Sequence, residues 1–186
     1  MKLVNTLAVA AGAVAVASAA HAGSLQFEGV NITPVPAAVH QDQFKMVWTD
    51  TLAGPVGYSI EGNATDYDNT KFVKSAQLLE KLYVTVPLGF LTSTSRVMYG
   101  ENFYTTKYNT IWGLEEKITS KTPIQNLTVS TGYRYLEGTS VAGEMRKRIE
   151  ASSDYALTKK YSVGVVYYNT TGDSKNNQLG GYLKIK

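Results

Sequence analysis

Cysteine is absent from this chain, which excludes a disulfide framework, thiolate-held metals and thiol nucleophiles together. Histidine is almost absent, at two in 186 residues, His21 and His40. Without a His or Cys cluster there is no spacing suited to zinc-like metals, and no metal or cofactor is expected. Proline is scarce, with 5 in the chain, so few positions break an extended segment. Gly-x-Gly phosphate loops are missing. Charge of one sign is missing too: 18 Lys+Arg stand against 15 Asp+Glu and are mixed along the chain, so no nucleic-acid partner is expected. Beyond residue 22 no apolar run approaches the roughly 20 residues of a spanning helix. Any crossing of a bilayer must therefore use strands.

What is present starts with a leader. Lys2 precedes an Ala-, Val- and Gly-rich run from Leu7 to Ala20, and Ala20-His21-Ala22 has the small-x-small form of a cleavage site. Residues 1–22 read as a cleaved secretory signal peptide and residues 23–186 as a single β-barrel domain.

The remainder alternates with period two between clusters of Gly, Pro, Asn, Asp and Ser, and it carries 13 Tyr. Alternate residues of a strand face opposite sides, so each window splits by parity. Gln43–Asp50 puts Phe44, Met46 and Trp48 on one face, and Val56–Thr65 sets Tyr58, Ile60, Gly62 and Ala64 against Ser59, Glu61, Asn63 and Thr65. Leu78–Leu88, Ser95–Thr105 and Tyr108–Ile118 follow, the last aligning Trp112 and Leu114 against Glu115 and Lys117. In Asn126–Leu136, Leu127, Val129, Thr131, Tyr133 and Tyr135 oppose Ser130, Gly132 and Arg134. Glu144–Leu157 sets Ile149, Ala151 and Tyr155 against Arg146, Arg148, Glu150, Ser152 and Asp154. Tyr161–Tyr168 and Gly181–Lys186 complete nine windows, and a short tenth is expected at Ser24–Val30. Counted from that tenth, connections alternate between mostly longer and mostly shorter, with Thr106–Lys107 as the exception. Long loops at one end and tight turns at the other predict a closed antiparallel up-and-down transmembrane β-barrel of 8–10 strands.

Alternation alone does not say which face meets water. Three features favour an apolar exterior and a wet interior. The first is a set of aromatics near strand ends, expected at a water–lipid boundary: Trp48, Tyr104, Tyr108, Trp112, Tyr133, Tyr135, Tyr155, Tyr161 and Tyr167, with Tyr168 beside them. The second is a polar face mixing small residues with opposed charges, expected as a lumen network: Glu61, Glu115, Lys117, Arg134, Arg146, Arg148, Glu150 and Asp154. Within it, Arg134 or Arg148 is expected to pair with Glu115 or Glu150. The third is the leader, which delivers the chain to the compartment where such barrels assemble.

On the Ala-x-Ala-type leader, the Tyr-rich alternating strands and the final Gly180-Gly181-Tyr182-Leu183-Lys184-Ile185-Lys186, the chain from Ser24 to Lys186 resembles the small β-barrel outer-membrane proteins of Gram-negative bacteria. The resemblance implies an outer-membrane location, contact with outer-membrane lipid and the assembly machinery, and a structural, surface-contact or small-solute pore role; the class includes a few enzymes, but the residues here lead us to expect no catalysis. Small polar solutes are the expected cargo. One departure stands out: the class usually ends on an aromatic residue, often Phe, whereas this chain ends on Lys186.

Other readings carry less. His40 would serve as a catalytic base only if Ser and a carboxylate converged on it; a solvated loop residue is the simpler reading. Asp66-Tyr67-Asp68-Asn69 lacks the Gly and distal Glu of a calcium loop. In Arg146-Lys147-Arg148, parity puts Lys147 outside at the membrane boundary and the two arginines inside. The alternative to a membrane barrel is a soluble periplasmic or secreted barrel binding an apolar ligand, lined by Phe44, Trp48, Trp112, Leu127 and Val129.

Overall fold

The computed structural model describes residues 23–34, 41–67, 75–104, 108–139, 145–172 and 175–186. The leader 1–22, His40 and the residues 68–69 of the Asp-rich loop lie outside the described residues.

Among the described residues, ten strands form one closed antiparallel barrel in which every strand pairs with its sequence neighbours. They are β1 (Ser24–Pro34), β2 (Gln41–Ala53), β3 (Val56–Tyr67), β4 (Ser75–Leu88), β5 (Leu91–Tyr104), β6 (Tyr108–Lys121), β7 (Leu127–Gly138), β8 (Met145–Ala156), β9 (Tyr161–Gly172) and β10 (Asn176–Ile185). Closure runs through β1 and β10, from Leu25↔Ile185 to Pro34↔Asn176, so among the described strands no sheet edge is left to recruit another chain.

The strands outrun the sequence windows. The short first strand expected at Ser24–Val30 continues to Pro34. Leu91 to Thr94, which read as turn residues, pair instead with Leu88 back to Thr85 and leave a two-residue turn at Gly89–Phe90. Thr119 to Lys121 pair with Ser130 to Thr128 in the same way. Leu157, taken for the end of a strand, lies in the bend 157–160. Polar, β-branched residues are as much at home in a ladder as in a turn, and the ladder wins when the partner strand is already held in register. The tight turns rest on backbone that bulky residues avoid: Gly54 and Gly89 have φ of 53° and 69°. Turns 54–55, 89–90, 122–126 and 157–160 lie at one end with Gly23 and Lys186; the strand ends Pro34, Gln41, Tyr67, Ser75, Tyr104, Tyr108, Gly138, Met145, Gly172 and Asn176, which flank the connections read from the sequence as the longer set, lie at the other.

The two faces differ sharply. Val97, Ile149 and Val165 point outward and are 54%, 55% and 58% exposed, whereas Glu61, Glu115 and Arg134 point inward and are 2%, 6% and 5% exposed. Phe44, Trp112 and Val129 are also exposed on the outer wall. The cavity lining expected for an apolar-ligand barrel therefore faces away from the lumen. Strand parity explains this: those residues share a face with the outward row, so closing the ring with charges inside turns them out.

Two apolar clusters narrow the lumen from opposite walls: Val30, Ile32, Val166 and Tyr168 on β1 and β9, and Leu79, Met98, Ile111 and Leu136 on β4 to β7. Two inward tyrosines lie across glycines of the neighbouring strand. A Cβ on Gly57 would meet the Tyr83 ring at 2.1 Å, and one on Gly164 would meet Tyr182 at 2.3 Å and the Ser153 carbonyl oxygen at 2.2 Å. Gly164→Val is expected to cost about 1–3 kcal/mol through overpacking, read as a lower urea midpoint in micelles. Gly29→Ala, whose Cβ meets nothing within 4 Å, is the matched control and should leave the midpoint unchanged.

Candidate functional site: a charged septum across the lumen

Inward positions are fixed by the pleat, so each strand contributes a row of side chains to the lumen. β3 contributes Ser59, Glu61 and Asn63; β4 contributes Gln77 and Lys81; β6 and β7 contribute Glu115 and Arg134. Glu61 and Arg134 sit four strands apart in the ring, so their contact crosses the interior. The Arg134 guanidinium donates from Nη1 to Glu61 Oε1 at 3.0 Å and from Nη2 to Glu61 Oε2 at 3.1 Å. Its Nε donates to Glu115 Oε2. Lys81 Nζ donates to Glu61, and Arg96 Nη1 donates to Glu115. Five charges from five strands thus alternate in sign, Lys81, Glu61, Arg134, Glu115 and Arg96. Alternation matters because a charge removed from water is tolerated only when paired and hydrogen-bonded.

A second cluster lies on the β1–β2–β9 wall. Lys45 Nζ approaches Glu28 Oε1 at 2.7 Å and donates to the Tyr168 hydroxyl at 2.5 Å, and that hydroxyl donates to Glu28 at 2.7 Å. The Arg148 guanidinium lies over the Tyr168 ring, 4.0 Å from its centroid, a cation–π contact. Lys117 pairs with Glu150 at 2.6 Å, and Ser162 donates to Asp154 at 3.1 Å.

The septum divides the lumen. A cavity of about 270 Å³ lies toward the long connections and one of about 320 Å³ toward the short turns, and Arg134 lines both. The upper chamber is walled by amides bonded to one another: Asn63 Nδ2 donates to Gln77 Oε1 at 3.0 Å, and Gln77 Nε2 to Asn102 Oδ1 at 2.6 Å. The lower chamber mixes both signs, with Glu28, Glu115, Glu150 and Asp154 facing Lys45, Lys81, Arg96 and Lys184.

All eight sequence-derived charges line one chamber or the other. Glu61, Glu115, Lys117, Glu150 and Asp154 line the lower one, Arg146 and Arg148 the upper one, and Arg134 both. The pairing is more specific than the sequence expectation. Arg134 takes Glu61 as well as Glu115, Glu150 takes Lys117, and Arg148 takes an aromatic ring. Glu28, Lys45, Lys81, Arg96 and Tyr168 escaped the sequence reading as site residues, although the same parity rule places each opposite an apolar row. Tyr168, grouped there with the boundary aromatics, is instead 2% exposed inside the lumen; its parity and its bond to Glu28 draw it inward. Trp112, Tyr133, Tyr155, Tyr161 and Tyr167 are exposed on the outer wall, and the Tyr135 hydroxyl donates to Glu137 at 2.8 Å. Trp48 is covered, at 7% exposed, with its ring edge-on to Tyr58 at 6.2 Å. Tyr104 and Tyr108 end β5 and begin β6, and their side chains lie outside the described residues. Lys147 is exposed on the outer wall near the long-connection end of β8.

By sequence the chain matches no protein-family model and no curated protein. By fold it is similar to the β domain of the Bordetella autotransporter Brka, with a TM-score of 0.54 at 9% identity over 88% of this chain and 98% of that one. It is also similar to the NanC porin, with a TM-score of 0.49 at 13% identity over 87% and 99%. A third likeness is to the loop L8 deletion mutant of OmpT, an outer membrane protein of Vibrio cholerae, with a TM-score of 0.45 at 12% identity over 78% of this chain. The chain spans 54% of that last protein's length. These likenesses are ones of fold, to porins and autotransporter β domains.

Removing the central cation should be costly, because Glu61 and Glu115 would then face each other's field with fewer partners. Arg134→Ala is expected to lose about 3–5 kcal/mol, measured as the shift in urea midpoint in micelles. Lys117→Ala, which breaks a less buried pair, should lose clearly less.

Proposed function

We propose that this chain spans a bacterial outer membrane, with lipid against its apolar outer wall, and passes small polar solutes slowly through a lumen kept narrow by the Arg134 septum. No catalysis is part of this reading. The observation that carries it is the inversion of faces: large apolar side chains stand exposed around the outside while a paired charge network is enclosed. In water that arrangement wastes the hydrophobic effect, and in a bilayer it is the arrangement lipid favours.

Strand length supports the same reading. The strands have 10 to 14 residues, and about 9–11 suffice to cross a bilayer at a tilt near 45°. Both ends of the described barrel lie beside the tight turns, the side that would face the periplasm. Outer-wall carboxylates are the costly feature. Glu116 is accommodated locally, accepting hydrogen bonds from Ser93 and from Ser95 Oγ, the latter at 2.5 Å. In this reading the exposed Trp112, Tyr133, Tyr155, Tyr161 and Tyr167 sit at the lipid boundaries, the leader 1–22 is removed on export, and the outer-membrane assembly machinery inserts the chain.

Val165 lies near the middle of β9, so Val165→Arg tests the environment directly. In lipid vesicles the variant is expected to lose about 2–4 kcal/mol, whereas on a wet wall the change would stay within roughly 0.5 kcal/mol. An equilibrium unfolding midpoint that does not move in vesicles would remove the membrane assignment. Conductance across a planar bilayer tests the path. The wild-type barrel is expected to show small, brief openings, and Arg134→Ser larger ones as the chambers merge. A folded variant with the wild-type conductance would remove the septum from any gating role.

A further inference from the structure

The unsatisfied polar groups of the lumen are not scattered. Thr170 Oγ1 on β9, Gln178 Oε1 on β10, and Arg148 Nε and Nη2 on β8 are all covered, yet none has a hydrogen-bond partner among the described residues. They are neighbours: Arg148 pairs in register with Thr170, and Gln178 with Tyr168, the ring on which Arg148 stacks. Thr170 and Gln178 are 5% and 7% exposed. All three residues line the upper chamber.

The rest of that chamber makes the concentration telling. On the opposite wall the amides Asn63, Gln77 and Asn102 satisfy one another. Among the described residues lining the chamber, four are cations, Arg134, Arg146, Arg148 and Lys175, and none is a carboxylate. Arg134 is spoken for by Glu61 and Glu115. Arg148 lies directly opposite Arg134 in the β7–β8 ladder, where like charges repel. Glu115 and Glu150 offset part of that repulsion from further off, but they leave the two covered donors of Arg148 without a hydrogen-bond partner among the described residues.

The idle atoms specify a ligand. Nε and Nη2 are the nitrogens whose N–H bonds run parallel along one edge of the guanidinium, the fork that matches the two oxygens of a carboxylate. Gln178 Oε1 can only accept, so it asks for a hydroxyl or N–H donor, and Thr170 Oγ1 can do either. A volume of about 270 Å³ suits one small solute rather than a polymer. We infer that the upper chamber binds a small hydroxylated carboxylate, with its carboxylate on the Arg148 fork and its hydroxyls on Gln178 and Thr170. Tyr168 holds the guanidinium plane, as a positioning residue.

The inference deepens the proposed passage of polar solutes and rests on the lumen being reachable from the long-connection end. Binding and passage are nevertheless separable. A barrel that binds in micelles but never conducts would leave the site and remove the path, and a conducting barrel with no ligand preference would do the reverse.

The test is calorimetric titration of the full barrel in zwitterionic micelles, at fixed ionic strength, with gluconate, glucose, acetate and inorganic phosphate. Saturable one-to-one gluconate binding is expected, with no binding of glucose and with phosphate and acetate weaker. Arg148→Gln should weaken gluconate at least tenfold, and Arg148→Lys, which keeps the charge without the fork, should fall between. Gln178→Leu should weaken gluconate while leaving acetate unchanged. Heat-dependent electrophoretic migration checks that each variant is folded, and should Arg148→Gln not fold, Arg148→Lys decides. No saturable gluconate binding, equal affinity in the folded Arg148 variant, or phosphate binding as tightly as gluconate would each overturn the assignment.

Discussion

Arg134 reaches across the lumen from β7 to Glu61 on β3 while also holding Glu115 beside it on β6. A guanidinium so enclosed can exist only if acceptors from separate strands converge on it, and they converge only if the ring is closed and each strand is in register. Slipping any of these strands by one residue would send its charge to the apolar outside and an apolar residue into the network. The septum is therefore a register lock as well as a barrier. It ties together strands that never touch through their backbones, on top of the local hairpin pairing that builds the wall.

The network also sets the character of the space it divides. Below Arg134 the two signs are interleaved, so the lower chamber presents no strong field to a solute. Above it the carboxylates are gone from the described lining and the remaining cations face a wall of amides that satisfy one another. The polarity of the lumen thus changes along its axis at a single residue. For the proposed passage of solutes this places selectivity on the long-connection side of the septum and the rate at the septum itself.

The outer wall answers to a different constraint. Apart from ring pairs such as Trp48 with Tyr58 and Trp112 with Tyr135, its large apolar side chains stand exposed, so their identity is limited more by the surrounding solvent than by neighbours. Val, Leu, Ile and Tyr recur there because each combines strand propensity with an apolar surface. Where a carboxylate intrudes, as at Glu116, hydroxyls from the adjacent strand are supplied to it.

Much of this was written in the sequence in a local code. Period-two alternation marked the strands, the same parity separated Val165 from Arg134, and the spacing of turn residues indicated up-and-down connectivity with a closing strand at Ser24. Those properties are legible because they depend on residues adjacent in the chain. Strand ends were less legible, since Leu91 to Thr94 join the ladder only because β4 is there to receive them. The partners of each charge were not legible at all: Arg134 with Glu61, Arg148 over Tyr168, and the three idle groups on β8, β9 and β10 are relations between residues far apart in sequence. Parity says that a side chain points inward, but the curvature of the closed ring decides what it meets there, and that distance across the lumen exists only once ten strands have closed.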